Sequence, residues 1–173
     1  MRNAILVLLL LAAAPAARAD KGPASLDVKS SAFNNNEAIP TEYSCEGAQL
    51  SPPLSWSKVP AETKSIAILV EDPDAPSRTF THWLVTGIPA TTTSLGKGAA
   101  LPAGAMASRN DKGQQGYAGP CPPSGRHHYH FHVYALDIGL PKTMTRAELL
   151  KGITGHVLAT GDLVGTYQRQ RGR

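Results

Sequence analysis

His127-His128-Tyr129-His130-Phe131-His132-Val133-Tyr134-Ala135-Leu136 is the stretch that decides the fold class. Side chains on a strand alternate between its two faces. A strand here puts His127, Tyr129, Phe131, Val133 and Ala135 on one face and His128, His130, His132, Tyr134 and Leu136 on the other. Just upstream, Gly119-Pro120-Cys121-Pro122-Pro123 is stiff, turn-forming backbone that leads into the strand at its histidine-rich end. Ile66 to Val70 is a compact apolar run that ends at Asp72-Pro73-Asp74-Ala75-Pro76, which predicts a buried strand delivering a carboxylate cluster to its tip.

Outward from these two strands the pattern stays β. Leu26 to Lys29 alternates briefly, Ser51-Pro52-Pro53-Leu54-Ser55-Trp56 reads as a rigid loop entering a short strand, and His82 to Ile88 is a further strand. Residues 91 to 125 read as loop with at most one short strand. Thr145 with Glu148 fits a capping box, and Leu150, Ile153 and Val157 recur at helical spacing, so one helix is expected near the C-terminus. Gly161 reads as a stop before a last strand, Leu163 to Gln168. With 6% aromatic residues, 16 glycines and 14 prolines, short strands and defined turns are favoured over a helical bundle. The expectation is a mainly β single domain with a C-terminal helix.

The first nineteen residues read as a signal peptide: Arg2 is the positive region, Ile5 to Leu11 the apolar one, and Ala17-Arg18-Ala19 a cleavage site before Asp20. The expected product is residues 20–173, exported to a periplasm or secreted, and loss of Arg2 and Arg18 lowers its formal net charge from +4 to +2. The remaining basic residues are scattered apart from Arg169-Gln170-Arg171-Gly172-Arg173, a pattern that argues against nucleic-acid binding. Export makes a disulfide between Cys45 and Cys121 the default reading, ahead of a thiol nucleophile or metal pair.

Four side chains at element ends carry chemistry. Pro73 stiffens the loop so that one of Asp72 and Asp74 can aim at a pocket while the other holds the turn. His82 lies at a strand start, and His127 and Tyr129 share a face and offer donors to an anionic oxygen. Two rival readings stand beside this pocket. His128, His130 and His132 could share a zinc or copper ion, against the plainer reading of a solvated face on an edge strand. Asp72 and His82 could orient each other in a weak hydrolase, with Ser124 nearby, although no Gly-x-Ser-x-Gly elbow or phosphate-cradling glycine loop accompanies them.

Asp72-Pro73-Asp74-Ala75-Pro76, His82-Trp83, Gly119-Pro120-Cys121-Pro122-Pro123 and His127-His128-Tyr129 resemble the two signature regions of the phosphatidylethanolamine-binding protein family, most closely its bacterial Raf-kinase-inhibitor-like branch. Cys45-Glu46-Gly47, Arg109-Asn110-Asp111, Gly116-Tyr117 and Gly155-His156-Val157-Leu158-Ala159 extend the resemblance over nearly all of residues 20–173. It implies a β-sandwich or roll with a small cavity for phosphate, acetate or phospholipid headgroups. Asp72, His82, His127 and Tyr129 would then line the pocket, with Pro123 and Gly119 shaping its wall. It also implies a binder without a cofactor, or an inhibitor or modulator of a kinase or protease, rather than an enzyme. The expected partner is a small anionic or zwitterionic headgroup such as phosphate or phosphoethanolamine; a protein target and a homodimer stay open.

Overall fold

The computed structural model describes residues 22–140 and 142–170, so the signal-peptide reading lies outside the described residues. In chain order the elements are β1 (Ala24–Ser25), β2 (Asp27–Lys29), β3 (Glu37–Ala38), a 3-10 turn (Thr41–Tyr43), β4 (Leu54–Ser57), β5 (Ser65–Asp72) and β6 (Phe80–Pro89). They continue with β7 (Ser94–Leu95), β8 (Met106–Ala107), β9 (Arg126–Leu136), α1 (Arg146–Gly152) and β10 (Val157–Gln168). A seven-stranded sheet runs β1-β10-β9-β5-β6-β8, with β3 also on β10, and a three-stranded sheet runs β2-β4-β7.

The apolar run of β5 reads as continuous because both faces of that strand are covered. Ile66, Ile68 and Val70 face the core between the sheets, where they join Trp83, Val85, Phe131 and Val133 of the large sheet and Leu54, Trp56 and Leu95 of the small one. Ala67 and Leu69 point the other way, onto Leu84, Leu136, Met144 and the Leu149 and Ile153 end of the helix. Burial of large side chains such as these stabilises by about 1.5–3 kcal/mol each. Along β9 the buried and more open positions alternate as the period of two predicts.

The helix has its capping box: the Glu148 amide donates to Thr145 Oγ1, and the Thr145 amide donates to the Glu148 carboxylate at 2.7 Å. It is shorter than its apolar spacing predicts. It ends at Gly152, and Val157 already belongs to β10. Gly161 is not a stop but lies inside β10, opposite Val133. A Cβ there would come within 2.6 Å of the Leu26 carbonyl oxygen, so glycine lets the chain near β1 and β2 cross the strand closely. Residues 91 to 125 hold two short strands rather than one. β9 is also no edge strand, since it pairs with β10 along its length and with β5 on the other side.

Candidate functional site

Three neighbouring strands bring their ends to one place. Asp72 closes β5, His82 is near the start of β6, and His127 and Tyr129 open β9. Between Val70↔Trp83 and Glu71↔Thr81 the β5–β6 register slips by one residue, so His82 is the extra residue of a bulge. Bulges re-aim side chains at sheet ends. This one lets His82 face the same layer as its neighbour Trp83, which is in the core.

These residues line a cavity of about 310 Å³. Asp72, His82, His127 and Tyr129 are the polar residues from the strand ends that line it, together with Ala75, Pro76 and Phe80, whose ring centroid is 4.8 Å from that of His82. Gly119, Pro122 and Pro123 form the facing wall with Ala118 and Cys121, and Lys112 stands beside them. That wall is tied down at several points. Ala118 N donates to the His82 carbonyl at 2.9 Å, Cys45 N donates to the Pro120 carbonyl at 3.0 Å, and Cys45 and Cys121 form a disulfide with Cα atoms 5.4 Å apart. A Cβ on Gly119 would lie 2.7 Å from the Tyr43 carbonyl oxygen, so only glycine lets the wall lie this close to the 3-10 turn.

Hydrogen bonding sets the state of each polar group. His82 Nδ1 lies 2.7 Å from the Ala118 carbonyl, which can only accept, so this nitrogen carries a proton. His127 Nδ1 donates to Asp72 Oδ2 at 2.7 Å, and Asp72 Oδ1 accepts from Asp74 N at 2.8 Å. In both rings Nε2 is left for other contacts. Burial holds the His82 pKa below its usual 6.5, opposed by the Ala118 carbonyl and the Asp72 charge and reinforced by Lys112. Burial first, and then the Asp72 carboxylate, pushes the Tyr129 phenol up, so it stays protonated. Tyr129 is 1% exposed, and its hydroxyl makes no hydrogen bond of ordinary geometry among the described residues, although the Asp72 carboxylate is close enough to act on it. Such a buried orphan costs on the order of 1–3 kcal/mol unless something pairs with it.

All six residues singled out from the sequence line this cavity. Asp74 does not; its carboxylate accepts from His128 N at 2.8 Å and from His128 Nδ1 at 2.7 Å, pinning the turn to β9. The hydrolase pairing is not formed, because Asp72 is bonded to His127 while His82 is bonded to backbone. Ser124 is exposed and outside the cavity. Lys112 and Phe80 are lining residues that sequence reading did not pick out. Lys112 is brought there by a loop in which Asn110 Oδ1 accepts from Lys112 N and Gln114 N, and Asp111 N and Oδ2 bond to Thr81. The Arg109-Asn110-Asp111 motif was the available signal.

Fold and cavity together define a small two-sheet β protein with one donor-rich, histidine-floored pocket at its strand ends. Residues 29–168 match the family model described as phosphatidylethanolamine-binding protein. A UPF0098 protein of Methanothermobacter thermautotrophicus is 44% identical over 150 residues, covering 83% of this chain and 99% of that one. The UPF0098 protein PH1269 of Pyrococcus horikoshii is 47% identical over 150 residues, covering 82% and 76%. A crystal structure of a phosphatidylethanolamine-binding protein homologue from Chlamydia trachomatis superposes with a TM-score of 0.80 at 39% identity, over 84% of this chain and 99% of that one. Escherichia coli YbcL superposes with a TM-score of 0.78 at 37% identity, over 85% and 100%. The chain belongs to the phosphatidylethanolamine-binding protein family, in its UPF0098 and YbcL-like bacterial and archaeal branch.

Proposed function

We propose that the cavity binds a small anionic or zwitterionic headgroup, of the phosphate or phosphoethanolamine kind, and does not transform it. The observation that carries this reading is the buried Tyr129 hydroxyl, which makes no hydrogen bond of ordinary geometry among the described residues, beside two histidines whose Nδ1 atoms are already committed. A phenol that stays protonated is a standing donor for an anionic oxygen. Lys112 adds positive charge at the same rim, whereas Asp72 repels a bare dianion and favours a ligand that carries its own ammonium or hydroxyl proton. Membership of the family supports an anion or headgroup pocket in general terms. Both cysteines are tied in a disulfide, and neither cavity histidine bonds to a serine, so no activated nucleophile argues for turnover.

Tyr129→Phe removes the donor and little else. It should weaken phosphoethanolamine and acetate binding by about 1.5–3 kcal/mol, the worth of a hydrogen bond to a charged group. Calorimetry reads this directly, and equal affinity in the two proteins would remove the assignment. The pH dependence follows from His82. An anion draws a proton onto Nε2, so the bound pKa rises above the depressed free one. Acetate affinity should therefore rise as pH falls toward the depressed titration of free His82 and decline as pH rises past the higher titration of the bound form, with Asp72, Asp111 and Lys112 as the other charges acting on the ring. Steady release of product from phosphomonoesters would overturn the non-enzymatic part.

The same proposal includes export to a periplasm or secretion, with Asp20 as the new N-terminus. The disulfide supports it, because such bonds persist in oxidising compartments. Intact-mass measurement of protein from the producing cell should give residues 20–173 with both cysteines oxidised. A chain that keeps residues 1–19, or two free thiols, would count against it.

A further inference from the structure

The outer face of β9 gathers a second set of polar groups, on the opposite side of the sheet from the cavity. His130 and His132 are two residues apart there, with ring centroids 5.5 Å apart and 19° between the ring planes. Asp162 stands directly opposite His132 on β10. His130 Nδ1 lies 2.8 Å from Asp162 Oδ2 and His132 Nδ1 lies 3.3 Å from Asp162 Oδ1, so both rings turn the same nitrogen to the two oxygens of one carboxylate. One ligand atom from each of the three residues falls within 4.8 Å of the others. His128 is not part of this group, since Asp74 holds it on both its amide and its ring.

Glu71 supplies the next layer. It lies on β5, beside β9, with Oε1 3.4 Å from His132 Nε2, and Arg146 of α1 binds its carboxylate from the other side. A metal-bound imidazole typically donates its remaining N–H to a carboxylate, which fixes the ring and raises its basicity. His132 has this arrangement: Nδ1 toward the cluster and Nε2 toward Glu71. The three residues are partly exposed, with side chains 22–37% accessible, so an ion can reach them from solvent.

We infer that His130, His132 and Asp162 form a binding site for one divalent transition-metal ion of the zinc or copper class, with solvent completing the coordination. Two imidazole nitrogens and a carboxylate suit these ions and disfavour magnesium or calcium, which prefer all-oxygen sets. To bind, His130 moves its proton from Nδ1 to Nε2 and exchanges its contact with Asp162 Oδ2 for an N–metal bond, while His132, with Nε2–H toward Glu71, turns the lone pair of Nδ1 to the ion, and the Asp162 carboxylate is the third ligand. This site is independent of the headgroup pocket.

Zinc and copper should be titrated calorimetrically, against a competing chelator, into residues 20–173 prepared without an affinity tag. One ion per chain is expected. His130→Gln, His132→Gln and Asp162→Asn should each weaken binding by at least about tenfold, since losing a ligand costs no less than losing its orienting partner. His128→Gln and His82→Gln should leave it within twofold. Copper electron paramagnetic resonance should show two coordinated nitrogens, falling to one in either single histidine variant. Thermal unfolding without metal checks that each variant folds; the residues lie on the sheet surface, and the double variant His130→Gln/His132→Gln is a second test. Unchanged affinity in the Asp162 and double histidine variants, or loss in His82→Gln, would overturn the inference.

Discussion

Replacing His127 with alanine should cost the fold about 3 kcal/mol, where the range for breaking a buried pair meets that for orphaning a buried charged acceptor. The reason lies with the partner left behind. Asp72 is 3% exposed; its Oδ2 would lose the ring donor, while Oδ1 keeps the Asp74 amide. Domains of this kind are stable by about 5–15 kcal/mol, so this one change removes a large share. Headgroup affinity should fall in the same variant by about 1.5–3 kcal/mol, because His127 Nε2 is one of the pocket's donors when protonated. Urea unfolding of wild type, His127→Ala, Asp72→Ala and the double variant separates the terms. The double variant should be more stable than the sum of the single losses implies, because removing both partners leaves no orphaned carboxylate. Strict additivity, or a loss under about 1 kcal/mol in His127→Ala, would show that the pair is not the buried, mutually dependent contact described above.

Side-chain parity survives any tertiary arrangement, which is why β9 was legible. Once a strand runs through His127 to Leu136, His127, Tyr129 and Phe131 must share a face, and they do. β5 was legible for a related reason: a strand covered on both sides has no polar positions to break the run. The capping box around Thr145 is equally local, and so was seen. β10 was legible only in its second half, Leu163 to Gln168. Its Gly161 looks like a breaker in isolation, but a Cβ there would come within 2.6 Å of the Leu26 carbonyl oxygen, so this glycine answers to chain that arrives from far away. β1 and β3 are two-residue strands pairing in parallel with β10, and they have no local pattern at all. The candidate site divides in the same way. The ends of strands and the proline-rich wall were visible in the order of residues. The bulge that aims His82, the approach of Lys112 and the meeting of Asp162 with His132 each depend on register between separate segments.

Removing the Cys45–Cys121 bridge should lower stability by about 2–4 kcal/mol and loosen the pocket wall. The bond closes a loop with a sequence separation of 76, so its absence frees a long stretch of the unfolded chain that includes β4 to β8. Its local effect is as important for binding. The wall from Ala118 to Pro123 contains no regular strand and is held by the Ala118–His82 contact, the Cys45–Pro120 hydrogen bond and the close seat of Gly119 over Tyr43 and Ser44. Without the covalent tie, these contacts alone must keep Pro122 and Pro123 across from His127 and Tyr129, so part of the binding energy goes into ordering the wall. A Cys45→Ala/Cys121→Ala variant should therefore unfold at lower denaturant, bind phosphoethanolamine more weakly and exchange its residue-45 amide faster, while the exchange of β9 core amides such as Phe131 changes only by the global loss. Reducing the wild-type protein should reproduce all three effects. An oxidised and a reduced protein with the same midpoint and the same residue-45 exchange rate would mean that the wall is held by its hydrogen bonds and glycine seat alone.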